Sequence, residues 1–197
     1  VGVRYKGNST FCLPNDASNQ KVPYNIDINY FVGGQKVMGY KKMKLANAWM
    51  DPTFMKQVIS AKIYQEYLPT GESNLVKLFS QGNYVGMYVN DESINKQFLD
   101  KHFDEKNGPL FKCDNIDRFC DTAGAPSAMP PNLNFLGDDS TLYYNSYDMK
   151  SDHGWTELVD LIRTIVYEFQ NIDSVLNVDR TLWAFAANQL SLIHISE

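Results

Sequence analysis

The chain has 197 residues and a formal net charge of −5 at pH 7, with 44% hydrophobic and 21% charged residues and 12 Tyr, 11 Phe and 3 Trp. That length and composition fit one large domain or two small lobes around a sizeable core, and they exclude disorder over most of the chain. The acidic balance argues against a nucleic-acid binder, which carries a basic surface, and no apolar run approaches the roughly 20 residues that cross a bilayer.

The chain opens on Val1-Gly2-Val3-Arg4-Tyr5, which already has the character of a strand, Gly2–Lys6. With no initiator Met and no signal peptide ahead of it, the N-terminus is expected to be cut, so the lack of a targeting signal carries no information. A polar loop follows, Gly7–Gln20, with Asn8-Ser9-Thr10 and Pro14-Asn15-Asp16. The second strand, Val22–Val32, alternates Tyr24, Ile26, Ile28 and Tyr30 with Asn25, Asp27 and Asn29, a period of two. Gly33-Gly34-Gln35 turns the chain, and the third strand is Val37–Leu45.

Its lysine-rich end runs into a capped helix. Asp51 is a good N-cap residue, and Pro52 takes the first helical position, where its missing N–H costs nothing. The free N–H groups of that first turn make a potential anion site. Lys42 and Lys44 share one strand face, opposite Met43 and Leu45. Lysines beside a helix N-terminus are one way to hold phosphate. From this segment alone, an edge strand with solvated lysines followed by an ordinary helix is the stronger reading.

The helix is expected from Pro52 to Tyr67, with Phe54, Met55, Val58, Ile59, Ile63 and Tyr67 as an apolar stripe. Leu75–Ser80 and Tyr84–Val89, joined by Gln81-Gly82-Asn83, form a hairpin. A second helix covers Ser93–Phe103, with Ile94, Phe98 and Phe103 inward. Pro109–Lys112 is a short strand, residues 113–140 are loop-like, and Thr141–Tyr147 is a last strand. Two helices close the chain. One runs Gly154–Phe169, capped by Ser151 or Asp152, with Trp155, Leu158, Val159, Ile162, Ile165, Val166 and Phe169 inward; the other starts near Asn177.

Of the three cysteines, Cys113 and Cys120 could close a small loop, as in an exported protein; two unrelated thiols are an equal alternative. No Cys/His spacing resembles a zinc site. His102, His153 and His194 are scattered and read as structural or exposed. Three strands, a helix, two strands and then a mostly helical part is the layout of a protein-kinase N-lobe, a fold-level analogy.

The motifs carry more than the topology. Gly2-Val3-Arg4-Tyr5-Lys6-Gly7-Asn8-Ser9-Thr10 resembles the "RxKGNSS" opening of the CotH family of atypical protein kinases, and Lys21-Val22-Pro23-Tyr24 is similar to its "KKPYKIKF" strand. Gly39 to Asn47 followed by Asp51-Pro52-Thr53-Phe54 resembles "GLKKLxLxN…DPSF". Tyr84-Val85-Gly86-Met87-Tyr88-Val89-Asn90-Asp91-Glu92 is similar to "YxGLYxLxE". Phe98-Leu99 and Gly108-Pro109-Leu110-Phe111-Lys112 match "FL" and "GxLYK". Each is weak alone; their order and spacing are specific, and the series covers the chain to about Gln189.

The resemblance implies an atypical protein-kinase-like α+β fold, with a mixed or antiparallel five-stranded N-lobe sheet and one αC-like helix. It implies a secreted or cell-surface enzyme that uses ATP and Mg²⁺ to phosphorylate Ser/Thr side chains of a protein substrate. Phosphoryl transfer needs positive charge on the phosphates and an acceptor held in line. The candidate nucleotide- and phosphate-binding residues are then Arg4, Lys6, Asn8, Ser9, Lys21, Lys42, Lys44, Glu92 and Lys112. Among them Lys42 ranks above Lys44, since the family pattern does not demand a basic residue at Lys44. Gly7-Asn8-Ser9 either wraps phosphate through backbone N–H groups or is a tight turn. Glu92 either orients a lysine or is an acid at a helix N-terminus.

Two features depart from the pattern. Tyr24-Asn25-Ile26-Asp27 lacks further lysines, and the αC-like helix offers Lys56 and Gln57 where many kinases have a glutamate, which leaves the lysine's partner unassigned. Asn177 to Leu190 resembles the family helix that precedes the catalytic segment, which would continue to Asn-x-Asp, "NYYLY" and a metal-binding "WDxD". Here Ser191-Leu192-Ile193-His194-Ile195-Ser196-Glu197 follows. It resembles a translated sequencing adapter and is expected to be non-native, a natural short C-terminus being the alternative. The expected organisation is an N-lobe at 1–112, a long loop or insertion with a short strand at 113–150, the first C-lobe helices at 151–190, and the tail at 191–197. No catalytic or metal-binding residue is assigned, and the chain is expected to bind nucleotide weakly without phosphotransfer. The alternative is a non-catalytic surface, matrix or coat interaction module on the same fold. A carbohydrate-binding module finds no β-sandwich pattern to support it.

Overall fold

A computed structural model of the chain describes residues 1–7, 9–16, 21–113 and 131–195, without the side chains of residues 9, 16 and 190–195. The chain forms two compact units, Val1–Ile94 with Ala187–Glu197, and Asn95–Ala186.

The first unit is built on a five-stranded sheet, β1 (Gly2–Tyr5), β2 (Tyr24–Asp27), β3 (Lys42–Ala46), β4 (Ser73–Ser80) and β5 (Asn83–Asp91). Its order is β1-β2-β3-β5-β4 and every pair is antiparallel. Helix α1 (Ser9–Asp16) joins β1 to β2, and α2 (Lys56–Gln65) joins β3 to β4. Gln81 and Gly82, both at positive φ, make the two-residue turn of the β4–β5 hairpin, the hand that matches strand twist. Leu45, Val58, Tyr88 and Val89 are buried at its centre. Tyr5, Tyr24 and Tyr88 form an aromatic run across β1, β2 and β5, and Phe11 of α1 stacks on Tyr5 at 5.0 Å.

Several boundaries differ from the sequence reading. Residues 9–16 are helical, not loop: Phe11 and the buried Cys12 pack them onto the sheet, and packing rather than propensity sustains so short a helix. β2 ends at Asp27, because its Oδ1 accepts the Asn29 N–H at 3.0 Å, an Asx turn that takes the chain out of the ladder. β3 starts at Lys42, not Val37. Val37 and Tyr40 instead close a separate tight turn, N–H to O both ways at 2.9 Å. α2 starts at Lys56, not Pro52. Asp51 Oδ1 accepts the Thr53 N–H (3.0 Å) and hydroxyl (2.6 Å), and Oδ2 accepts the Lys56 N–H (3.0 Å). Such side-chain bonds compete with the helix for its first turn. Of the expected stripe only Val58 is buried; Met55, Ile59, Ile63 and Tyr67 are exposed.

The second unit holds α3 (Lys96–Phe103), a two-stranded ribbon of β6 (Phe111–Lys112) and β7 (Asp148–Met149), a 3-10 turn (Ser140–Tyr143) and α4 (Trp155–Tyr167). A second 3-10 turn (Phe169–Ser174) leads to α5 (Val178–Ile195), whose last turns count with the first unit. Asn95 caps α3 through bonds from Gln97 and Phe98 N–H. Asn177 Oδ1 accepts the Arg180 N–H at the start of α5. The core is Tyr143, Tyr147, Leu158, Val159 and Ile162, with Phe111, Phe135 and Trp155 against it. The expected strand Thr141–Tyr147 is absent. The Ser146 and Tyr147 N–H groups both bond Tyr143 O, at 2.9 and 3.1 Å, local turn bonds that curl the segment and leave it no ladder to join. Neither Ser151 nor Asp152 caps α4. Ser151 Oγ accepts the Leu110 N–H (2.9 Å) and Asp152 pairs with Lys96 (2.6 Å). Gly154 holds the N-cap at φ 140, where a Cβ would strike Pro109 at 2.8 Å. Cys113 is a free, exposed thiol, and Cys120, its expected alternative partner, lies outside the described residues. Cys12 is disulfide-bonded.

Candidate functional site

The strand register assembles the site. Arg4 lies opposite Asn25, Asn25 opposite Lys44, Lys44 opposite Asp91, and Asp91 opposite Ser73. Directly opposite residues share a sheet face, so one row of side chains crosses all five strands, and every member is polar. The Lys6 N–H bonds Pro23 O at 3.1 Å and carries the β1–β2 ladder one residue further, which sets the Lys6 side chain on the same face. α2 reaches this face through Gln57, whose Nε2 donates to Asp91 Oδ2 at 2.6 Å, while Ser73 Oγ donates to Oδ1 at 3.0 Å.

Charge and burial are in tension here. Burial pushes the Asp91 carboxyl above its ordinary range, and the Ser73 and Gln57 hydrogen bonds and the charges of Lys6 and Lys44 pull it back only in part. Burial likewise lowers the Lys6 ammonium, with Asp91 offsetting some of that. Two cations around one carboxylate leave local positive charge, which suits a phosphate-bearing ligand. One row along, Lys42 pairs with Asp27 at 3.5 Å, the lysine exposed and the carboxylate half-buried.

Glu92 follows Asp91 but points the other way. Its Oε2 accepts the Glu72 N–H at 3.1 Å, and its own N–H bonds Glu72 O at 2.8 Å, so it anchors the chain entering β4. Lys21 packs its Nζ 3.9 Å above the Phe54 ring and 5.5 Å from that of Tyr88, and burial lowers its ammonium pKa. It borders an open cavity of about 470 Å³ walled by Asn47, Trp49, Asp51 and Phe54. Asn47 Nδ2 ties the wall together through Thr10 O (2.9 Å) and Lys21 O (3.1 Å). Ala48, Met50 and Phe54 all have positive φ, a concentration of strain of the kind found at functional loops.

Of the sequence candidates, Arg4, Lys6 and Lys44 fall on the polar face around Asp91. Lys42 sits on the neighbouring row, Lys21 at the cavity and Glu92 at the β4 entry. Lys112 lies in β6 of the second unit, opposite Asp148. Asn8 is outside the described residues, and Ser9 begins α1 without a described side chain. Sequence reasoning missed Asp91, Gln57 and Ser73 as a group. The signal was present in the alternation of β5: the buried Tyr88 and the half-buried Asn90 fix Asp91 on the opposite, lysine-bearing face.

Among the described residues no group of three His, Cys, Asp or Glu side chains could hold a metal ion, and no helix is long and apolar enough to cross a membrane. A family model described as "CotH kinase protein" matches residues 3–192, nearly the whole chain. No curated protein matches it.

Proposed function

The chain belongs to the CotH kinase family, and from that premise we propose that its first unit is the N-lobe of a kinase-like fold that holds the phosphates of ATP over the Lys44–Asp91 row. The whole protein would be a secreted or cell-surface enzyme that phosphorylates Ser/Thr side chains of a protein substrate. The observation that carries this reading is the Lys44–Asp91–Gln57 arrangement. In protein kinases a third-strand lysine contacts the nucleotide phosphates and is oriented by a glutamate of the αC helix. Here α2 supplies an amide, Gln57, which holds Asp91, and Asp91 on β5 lies opposite Lys44 across the ladder, where it would take the glutamate's place. Lys6 and Arg4 add positive charge on the same face.

The anionic phosphates of ATP fit this donor set. When bound, Mg²⁺ would neutralise charge on the phosphates; the described residues offer it no carboxylate cluster, and no step is routed through it. Calorimetric titration of the 197-residue chain with ATP tests the reading. Lys44→Met and Lys6→Met should each weaken binding about tenfold to a hundredfold, the worth of a charge-assisted contact of ~1.5–3 kcal/mol. Lys42→Met should leave it within about threefold, as expected of an exposed ion pair. Adding Mg²⁺ and a protein acceptor to the same samples reads phosphotransfer, for which the expectation is binding without turnover. A wild-type chain that binds no ATP, or Lys44→Met and Lys6→Met variants that bind it normally, would overturn the proposal in favour of a non-catalytic module.

A further inference from the structure

A second surface of the first unit lies apart from the lysine row. Between β2 and β3, residues 28–41 make an excursion that turns Tyr30, Phe31, Val32, Val37 and Met38 into solvent, Phe31 being 74% and Met38 93% exposed. Single exposed hydrophobics are ordinary. Five within nine residues form a cluster, and contiguous exposed clusters mark contact surfaces.

The excursion is a built structure. Ile28 N–H bonds Lys41 O at 2.8 Å and closes its base, and the Val37–Tyr40 turn closes its tip around Met38 and Gly39, both at positive φ. The Tyr30 ring meets Phe31 edge-on at 4.8 Å and packs over Gly2 so closely that a Cβ there would fall 2.6 Å from it. Tyr40 Oη donates to Glu72 Oε2 at 3.3 Å. The apolar side chains are thus held outward by the fold.

The charge around the cluster is one-sided. Residues 28–41 contain no Asp or Glu, while Lys36 and Lys41 are exposed, in a chain whose net charge is −5. Of the flanking groups, Asp27 is paired with Lys42, and Glu72 accepts from Tyr40. The complementary partner is both anionic and apolar, and it must receive a protruding tip. A bilayer surface with anionic lipids has that chemistry: Tyr belongs at the headgroup level, apolar side chains just below it, and lysines against the lipid charge.

We propose that residues 28–41 are a membrane-docking loop that seats Phe31 and Met38 at the headgroup–acyl boundary of an anionic phospholipid surface, with Lys36 and Lys41 on the headgroups. The inference stands independently of the nucleotide site. It is tested by co-sedimenting the full 197-residue chain with vesicles of phosphatidylcholine alone and of phosphatidylcholine mixed with phosphatidylglycerol. The chain should partition onto the anionic vesicles, and more weakly at high salt. Lys36→Glu with Lys41→Glu should lower the partition coefficient by about 25-fold or more, since each lysine at such a surface is worth about fivefold. Phe31→Ser and Met38→Asp should each lower it about tenfold, the loss of one buried apolar side chain. Met38 touches almost nothing, so an unchanged circular dichroism spectrum will certify that variant as folded. No sedimentation with either vesicle, or full sedimentation of Met38→Asp, overturns the proposal. So does a wild-type dimer that Met38→Asp converts to monomer without any vesicle binding, which would assign the loop to a second copy of the chain.

Discussion

Lys42 and Lys44 stand two residues apart on one face of β3, yet the rows that pass through them differ. The Lys42 row ends in a 3.5 Å pair with Asp27, and the lysine side chain is 44% exposed. The Lys44 row runs into Asp91, a half-buried carboxylate held by Ser73 and Gln57 and surrounded by Lys6 and Lys44. Sequence spacing makes the two lysines equivalent. What separates them is the reach of β5 and α2: β5 pairs with β3 from Lys44 onward and not at Lys42, and α2 reaches the Lys44 row through the Gln57 bond to Asp91. A charge in water is screened and contributes little; the same charge under a helix has few alternatives to its partner, and that constraint is what a phosphate site needs.

The largest test of the difference is to remove each row's acid. Asp91→Ala deletes two hydrogen bonds to a charged group and leaves Lys6 half-buried without its counter-charge, so it should destabilise the fold by ~2–4 kcal/mol. Asp27→Ala breaks a solvated pair and an Asx turn and should cost about 1 kcal/mol. Urea denaturation of the two variants reads both numbers, and equal midpoints would erase the distinction between the rows. Gln57→Leu comes next. It keeps the volume on α2 but strips Asp91 of its 2.6 Å donor, a loss of about 1.5 kcal/mol. If Gln57→Leu is neutral by the same measurement, α2 does not hold Asp91.

How much of this was legible in the sequence follows from which signals are local. Alternation along β3 correctly separates Lys42 and Lys44 from Met43 and Leu45, because period two survives any tertiary context. The β4–β5 hairpin and the start of α5 near Asn177 are also local, and the structure has both, with Asn83 paired in β5 and Gln81-Gly82 alone as the turn. The α2 start was misread because Asp51 can cap a helix or close a turn with Thr53, and only the fold decides between them. The Thr141–Tyr147 segment differs from the expected strand because aromatic side chains favour strands in isolation, whereas here Asp139 caps a 3-10 turn at Thr141 N–H and Tyr143 O collects the N–H groups of Ser146 and Tyr147. Asp91 escaped notice for a different reason. Its partners come from four separate segments, at Lys6, Lys44, Gln57 and Ser73, and no window of sequence contains them together. Glu92, one residue on, stands at the end of a family-like motif, and a motif does not specify which face a side chain takes.

A smaller effect sharpens the comparison through pH. The folded carboxyl of Asp91 has a pKa raised above its ordinary 3.8, chiefly by burial. Its protonated form is therefore favoured by folding. That contribution is fully present below the unfolded value and is lost as pH rises through the raised folded value. The wild type should lose stability relative to Asp91→Asn across this acidic window, because the amide has no proton to lose. Lys6 has the opposite sign. Its pKa is lowered, again chiefly by burial, so its contribution is present above 10.5 and is lost as pH falls through the lowered folded value. Burial thus works against the charged form of both groups, and each offsets part of that cost for the other. Urea midpoints of wild type and Asp91→Asn followed across the carboxylate range should diverge as pH rises; parallel curves would mean that burial does not raise the Asp91 carboxyl.

The smallest expected effect falls on Lys42. Lys42→Met removes an ammonium whose carboxylate partner lies 3.5 Å away with both side chains in contact with water, and such pairs contribute about 0.5 kcal/mol or less. The methionine also keeps most of the aliphatic stem that covers the neighbouring strand. Asp27 loses little when its partner goes, because its Oδ1 still accepts the Asn29 N–H at 3.0 Å and holds the turn out of β2. A near-neutral urea midpoint for Lys42→Met, beside a clear loss for Asp91→Ala, would show that position under α2 rather than membership of a lysine pair decides what a β3 charge contributes. A loss from Lys42→Met as large as that from Asp91→Ala would mean that the Lys42 row, too, is shielded from solvent, and the contrast between the two rows would fail.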